Sequence, residues 1–295
     1  MLVTMTRRSA MLLSGLPVAT PLFAFDATQK GQRRSRTKIQ DPVGNALIQW
    51  KPLSPFPGAP ILFSSKTFSG PAKWLDKTIE FRPDGDGYTA LAGANLNRTP
   101  GRYPLTLGDQ TVEVTIVKHT YRSSTITVPQ KYLEPPPEIR KRIAEESQIK
   151  RQVFKSSPPQ RLWQGAFQPP TKTRHTSPFG SRRVYNGKTR SVHQGLDFSA
   201  TIGTPVSSAN TGRVVIAQQF YFEGGFVVID HGESIFTLYM HLSEFLVKEG
   251  AVIEKGVPIA KSGSSGRVTG PHLHFAMQWQ GAYLDPATLL QLWAA

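Results

Sequence analysis

Four of the seven histidines lie in three short segments whose spacing suits metal binding. His193 and Asp197 are four positions apart, His272 and His274 are two apart, and His241 lies between these two pairs in the chain. In a β-strand, residues two or four positions apart point to the same face. The spacing therefore predicts that His193 and Asp197 converge on one point and that His272 and His274 face one cavity.

These residue types indicate zinc chemistry. The chain has no cysteine, so a metal site must use His, Asp or Glu. Imidazole nitrogen and carboxylate oxygen suit zinc, and three protein ligands leave a fourth position for a water that zinc activates. If His272 were also a ligand, the site would be closed and structural, and the spacing alone leaves both arrangements open. We predict no catalytic role for His119, His175 and His231.

The elements around these residues are predicted to be strands. Residues 212–217, 226–230 and 235–240 are apolar runs bounded by glycine or turn residues, which is typical of β-structure. We therefore predict a mainly β fold in which residues 171–295 form an antiparallel β-sheet domain.

The preceding residues are predicted to form a second β-rich domain and a helix. Short strand-like segments at 45–50, 59–63, 88–92 and 111–117 are separated by Pro and Gly turns. This pattern predicts a small immunoglobulin-like β-sandwich over residues 43–130. Residues 131–170 are predicted to be a helical connector, because prolines 135–137 open a helical pattern and prolines 158 and 159 end it.

The amino-terminal segment resembles an export signal. Residues 1–27 contain two early arginines followed by a Pro-interrupted apolar stretch, and residues 28–42 form a basic linker. An uncleaved membrane anchor is the alternative. We expect an exported protein of the periplasm, cell envelope or extracellular space, touching a membrane only through an uncleaved signal.

The charge of the chain predicts an anionic partner without selecting one. There are 35 Lys and Arg residues against 20 Asp and Glu residues, which gives a net charge of +15. Nucleic acid would explain this charge, but the export signal and the scarcity of base-reading motifs oppose that interpretation. We therefore predict no nucleic-acid partner.

The carboxyl-terminal motifs together resemble a known family. They are Ser177-Pro178-Phe179-Gly180, His193-Gln194-Gly195-Leu196-Asp197, Gly203-Thr204-Pro205-Val206, Asp230-His231-Gly232, Tyr239-Met240-His241-Leu242 and Gly266-Arg267-Val268-Thr269-Gly270-Pro271-His272-Leu273-His274-Phe275. In this order they resemble the LytM/lysostaphin-type zinc metallopeptidases that act on bacterial cell walls.

The resemblance implies one Zn²⁺ per chain, peptidoglycan as the partner, and hydrolysis of its stem peptides or cross-links. It implies that His193, Asp197 and His274 bind the metal, while His241 and His272 act as general base and electrostatic stabiliser. Basic residues before His193 suggest binding of substrate carboxylates, and we single out Arg182 and Arg183. The family tyrosine upstream of the first histidine corresponds most closely to Tyr185, which we expect to bind substrate.

A different functional class fits the same motifs. A catalytically silent module of this type would activate or scaffold another cell-wall hydrolase, although silent modules usually lose ligands and the five key positions are present here. For the amino-terminal sandwich, the sequence leaves two roles open, namely targeting to the cell wall and occlusion of the cleft.

Overall fold

The computed structural model describes residues 48–127, 129–187 and 189–294. The predicted export signal and basic linker, residues 1–42, lie outside the described residues. The predicted mainly β class is confirmed, since the described residues form twenty strands and two α-helices.

The amino-terminal strands have the topology of an immunoglobulin-like sandwich. The strands are β1 Gln49–Lys51, β2 Pro60–Ser65, β3 Gly70–Trp74, β4 Lys77–Asp84, β5 Gly87–Gly93, β6 Gly101–Leu107 and β7 Gln110–Ile116. One half of the sheet has the order β1-β2-β5-β4 and the other half the order β3-β6-β7, with β4 also paired to β3. These are the strand orders of an immunoglobulin constant-type domain, as the sequence predicted.

Aromatic residues between the two halves form the core of this sandwich. Phe63 of β2 packs edge-on against Trp74 of β3, with ring centroids 5.3 Å apart. The indole nitrogen of Trp74 donates a hydrogen bond to the Gly93 carbonyl oxygen at 2.8 Å. The buried indole therefore has its polar group satisfied as well as its apolar surface covered.

The sandwich strands are followed by a further strand, a short 3₁₀ helix and the predicted α-helix. Strand β8, Ser123–Ile126, is followed by the 3₁₀ turn Gln130–Tyr132 and by helix α1, Pro137–Val153. Proline at the first helical position suits this helix start, because its missing N–H would have no partner there. In the described part of the chain, no helix combines the length and apolar character needed to cross a membrane.

The carboxyl-terminal part contains two sheets. Its strands are β9 His175–Ser177, β10 Arg182–Tyr185, β11 Thr189–Val192, β12 Leu196–Phe198, β13 Pro205–Ser207, β14 Gly212–Phe220, β15 Gly224–Asp230, β16 Ile235–Phe245, β17 Val252–Ile253, β18 Pro258–Ser262, β19 Leu273–Trp279 and β20 Ala282–Leu284, followed by helix α2 Pro286–Leu289. Strands β10 and β11 form a hairpin, and β8, which lies in the range predicted for the sandwich, instead pairs in parallel with β10. The large sheet has the order β17-β14-β15-β16-β19-β12-β9.

The central strands of this sheet are buried on both faces. In β15, Val227 and Ile229 join the main hydrophobic core, whereas Phe226 and Val228 join a second cluster on the other face. This alternation follows from the two-residue period of a strand and explains why β15 is a continuous apolar run. Residues from the end of α1 pack on the second cluster, including Phe154, whose ring lies 5.1 Å from that of Phe236.

Buried ion pairs connect the amino-terminal strands to the carboxyl-terminal sheet. Arg161 donates hydrogen bonds to the Thr89 carbonyl oxygen at 2.7 Å and to Glu233 at 3.0 Å. Arg82 of β4 donates to the other oxygen of Glu233 at 2.8 Å. The Glu233 carboxylate, only 12% exposed, therefore pairs with two arginines, Arg82 of β4 and Arg161 of the segment after α1.

Candidate metal centre

Two neighbouring strands bring Asp197 and His274 together. Asp197 lies in the middle of β12, and antiparallel pairing places it directly opposite His274 of β19. Directly opposed side chains on one face of a sheet are close neighbours. Here the His274 Nδ1 atom lies 2.9 Å from the Asp197 Oδ1 atom.

His193 completes a three-residue cluster from the turn before β12. Its Nε2 atom lies 2.9 Å from Asp197 Oδ1 and 2.9 Å from His274 Nδ1. The intervening Gly195 lets the chain approach β19, because a Cβ at this position would lie 2.5 Å from His274 Nε2 and 2.6 Å from the Phe275 carbonyl oxygen. The three predicted ligands therefore converge, and all three are buried.

Backbone carbonyl groups fix the protonation of three imidazoles. The Nδ1 atoms of His193, His241 and His272 lie 2.8–2.9 Å from the carbonyl oxygens of Pro178, Ser265 and Gly270, respectively. A carbonyl oxygen only accepts hydrogen bonds, so each neutral ring carries its proton on Nδ1 and keeps a lone pair on Nε2. His274 differs from these three rings, since its Nδ1 atom faces the cluster.

The charge of Asp197 is stabilised from several sides. Burial alone would raise the pKa of this carboxyl group, but the imidazoles of His193 and His274, each with a nitrogen 2.9 Å from Oδ1, outweigh burial and hold the pKa well below its ordinary value. Its second oxygen, Oδ2, accepts a hydrogen bond from Arg183 Nη2 at 2.9 Å. Arg183 therefore orients the carboxylate so that Oδ1 faces the two imidazoles.

His241 reaches the cluster from β16 in an unusual backbone conformation. Its φ is +66°, which is uncommon for a residue other than glycine, and its N–H donates to the Glu223 carbonyl oxygen at 2.8 Å. Its ring lies 4.8 Å from that of His272 and 6.0 Å from that of His274. Burial, with a smaller contribution from the neighbouring imidazoles, lowers the pKa of His241 well below its usual value, so the ring is neutral at neutral pH.

His272 lies farther from the cluster than the three central residues. Its Nε2 atom is 3.9 Å from Asp197 Oδ1, and its side chain is 21% exposed. His272 and Gly263 form an isolated antiparallel β-bridge just before β19 begins. The atoms of His193, Asp197 and His274 therefore form the compact group, and His272 stands beside it.

The donor set fits zinc. His193 Nε2 is an unprotonated acceptor that lies 2.9 Å from a carboxylate oxygen, and two acceptors at this distance require a cation or a shared proton between them. Two imidazole nitrogens and one carboxylate oxygen, buried and held by outer hydrogen bonds, are ligands that zinc accepts.

Of the three residues predicted to bind substrate, two line the cleft beside the cluster and one does not. Tyr185 and Arg183 line a cleft of about 210 Å³ together with His193, His241 and His274. Arg183 already uses Nη2 for Asp197 and for the Ser177 hydroxyl oxygen. Arg182 is exposed and does not line this cleft, because side chains alternate along β10.

Several further residues that line the cleft were missed from the sequence. Lys150 comes from helix α1, Phe222 and Glu223 from the turn before β15, and Arg267 from the loop before β19. Only Arg267 lay in a motif that the sequence singled out. The other three carry no local signal, because packing between distant segments brings them to the cleft.

Comparison with known proteins assigns part of the chain to a family. Residues 191–286 match the model of peptidase family M23. This segment contains all three residues of the cluster as well as His241 and His272.

Relatives match about two fifths of the chain. The peptidoglycan DD-endopeptidase ShyA of Vibrio cholerae is 43% identical over 112 residues, which are 38% of this chain and 26% of that protein. The DD-carboxypeptidase/endopeptidase Mpg of Neisseria meningitidis is 38% identical over 123 residues, which are 42% of this chain and 28% of that protein. The chain thus matches about a quarter of the length of each of these relatives.

A solved structure resembles most of the fold. The crystal structure of a putative M23 peptidase from Pseudomonas aeruginosa covers 80% of this chain and 95% of its own, with a TM-score of 0.63 and 24% identity. At this identity the likeness supports the fold, including the strands outside the family segment.

Proposed function

We propose that the chain is a zinc-dependent endopeptidase that hydrolyses peptide bonds of bacterial peptidoglycan, because residues 191–286 match the model of peptidase family M23. The observation that carries this proposal is the buried cluster in which His193 Nε2, Asp197 Oδ1 and His274 Nδ1 lie 2.9 Å from one another. The names of the relatives support peptide cross-links or stem peptides as the substrate class.

His193, Asp197 and His274 would hold the zinc ion. When bound, zinc supplies Lewis-acid polarisation of a carbonyl group and acidifies water near neutral pH. Arg183 orients the Asp197 carboxylate through the 2.9 Å hydrogen bond that it donates to the outer oxygen. The Pro178 carbonyl oxygen holds the His193 ring with its Nε2 lone pair toward the cluster.

His241 and His272 are the proposed acid–base and electrostatic groups. Both rings carry the proton on Nδ1, donated to backbone carbonyl groups, so each Nε2 atom can accept a proton from the attacking water. A ring protonated in this way can stabilise the developing oxyanion and later return the proton to the leaving amine. The 3.9 Å separation of His272 from Asp197 supports an open three-ligand site over a closed four-ligand one.

The site does not favour a catalytically silent module, because the His and Asp side chains are present at all five key positions, and three of them converge. We further propose that residues 43–130 and 171–295 act as separate domains joined by the connector, and that the protein works in the cell envelope after export. Targeting and occlusion remain the two candidate roles for the sandwich.

The test is cleavage of defined cross-linked muropeptides by the zinc-loaded full-length protein, followed by mass spectrometry. We expect cross-linked dimers to be converted to monomers, a chelator to stop the reaction and added zinc to restore it. Asp197→Ala and His274→Ala should abolish cleavage, whereas His119→Ala, an exposed histidine in the amino-terminal half, should not. Cleavage that survives in both cluster variants would refute the proposal.

A further inference from the structure

The cleft above the cluster contains one cation without an acidic partner. Lys150 forms an ion pair with Glu223, and Arg183 forms one with Asp197. Arg267 lines the same cleft, and within the described ranges no carboxylate lies within 4.0 Å of its guanidinium group. Among the described Lys and Arg residues that line this cleft, Arg267 is therefore the one without an acidic partner.

Two aromatic rings hold this guanidinium in place. Its central carbon lies 5.1 Å from the centroid of the Tyr185 ring and 4.7 Å from that of the Phe222 ring. Stacking on ring faces fixes a guanidinium group without consuming its N–H donors. Among the described residues, no side-chain hydrogen bond of Arg267 satisfies these donors, so they remain available to a ligand.

The backbone of the loop is also fixed. The Arg267 N–H donates to the Phe222 carbonyl oxygen at 2.9 Å. Gly266, with a φ of +76°, sits so close to the turn before β15 that a Cβ would lie 2.4 Å from the Gly224 nitrogen. The adjacent Ser265 carbonyl oxygen accepts the His241 Nδ1 proton, so one loop positions both the Arg267 side chain and the His241 ring.

We propose that Arg267 binds a carboxylate of the substrate peptide and makes the cleft selective for acidic peptides. A planar guanidinium with free donors matches a carboxylate bidentately, and stacking reduces the entropy lost on binding. Tyr185 and Phe222 are positioning residues for this arginine. The inference deepens the proposed function, because it names the chemistry of the substrate that the same site accepts.

The first experiment measures turnover of two cross-linked muropeptides that differ only in whether the free carboxylates next to the cleaved bond are amidated. We expect the zinc-loaded wild-type protein to prefer the carboxylate form. Arg267→Gln should lower kcat/KM for that form roughly tenfold to a hundredfold, mainly through KM, and should change the value for the amidated form little. Arg267→Lys keeps the charge and loses the planar arrangement of donors, so its kcat/KM for the carboxylate form should lie between those of the wild-type protein and Arg267→Gln.

The second experiment measures binding without turnover. Calorimetry of the zinc-loaded full-length protein uses an end-blocked tetrapeptide with one glutamate and its glutamine counterpart. We expect tighter binding of the glutamate peptide, and loss of this difference in Arg267→Gln. Arg98→Gln is the matched control, since Arg98 also stacks on a tyrosine, at 5.4 Å from the Tyr103 centroid, and lies outside the cleft.

The outcomes separate this inference from the proposed function. If Arg267→Gln weakens both members of each pair equally, or if the wild-type protein does not distinguish them, the inference is overturned. If the wild-type protein cleaves neither muropeptide, the proposed function fails, and the calorimetric difference still decides whether Arg267 recognises a carboxylate.

Discussion

The main expected effect of replacing Arg183 is weaker zinc binding. Arg183→Met removes the guanidinium group and keeps a side chain of similar length. The Asp197 Oδ2 atom then loses its 2.9 Å charge-assisted hydrogen bond, and the carboxylate is free to rotate away from the two imidazoles. We therefore expect lower zinc affinity and, at limiting zinc, lower activity.

The size of the expected loss in zinc affinity follows from the burial of Arg183 and Asp197. The two side chains are only 16% and 9% exposed, so water cannot replace the lost partner fully. Losing an outer hydrogen-bond partner of a metal ligand typically costs roughly tenfold to a hundredfold in metal affinity. Breaking a buried ion pair costs about 3–5 kcal/mol, and we expect a destabilisation near the lower end in the zinc-free protein.

The assay is competition for zinc between the full-length protein and a chromophoric chelator, combined with urea unfolding in the presence of a strong chelator. Arg182→Met is the matched control, because Arg182 lies next in the chain on the same strand and is exposed. Arg183→Lys should retain part of the affinity, since it keeps the charge with a single donor.

One result would refute this reasoning. If Arg183→Met bound zinc as tightly as the wild-type protein and showed only a higher KM, Arg183 would serve the substrate and not the metal ligand. That outcome would restore the substrate-binding role that the sequence suggested for Arg183.

Three further predictions concern the fold and the site. Gly195→Ala should displace the His274 imidazole and lower zinc affinity and turnover at least tenfold. The control is Gly101→Ala, which should leave zinc affinity and turnover unchanged, because the added Cβ meets only one ring atom, at 3.8 Å. Burial lowers the pKa of His231 to about 4, so between pH 6.5 and 4 the unfolded chain takes up a proton that the folded chain does not, and the free energy of unfolding should fall by up to about 3 kcal/mol. In urea unfolding, the free energy of unfolding of His231→Asn should depend less steeply on pH than that of the wild-type protein. Equal pH dependence in the two proteins would contradict this prediction. Glu233→Gln leaves two arginines without their shared carboxylate and should lower the free energy of unfolding by about 3 kcal/mol, whereas Asp86→Asn, which breaks an exposed ion pair, should leave it almost unchanged.

The sequence alone predicted the parts of the protein that depend on local patterns. The types and spacing of the His193/Asp197 and His272/His274 pairs predicted a metal cluster, and the family resemblance selected His193, Asp197 and His274 as its ligands. Proline at the start of α1 predicted the helix, and the apolar runs predicted the central strands. Strands β3, β4 and β6 were not predicted individually, since internal prolines such as Pro71 interrupt their patterns.

Only the tertiary structure decided how these parts meet. The register that places Asp197 opposite His274 joins two segments that lie far apart in the chain, and no local pattern specifies which strands pair. The same holds for the carbonyl groups that set the imidazole tautomers and for the contact of Arg183 with Asp197. Residue spacing in one strand fixes which face a side chain takes, whereas its neighbours on that face depend on long-range packing.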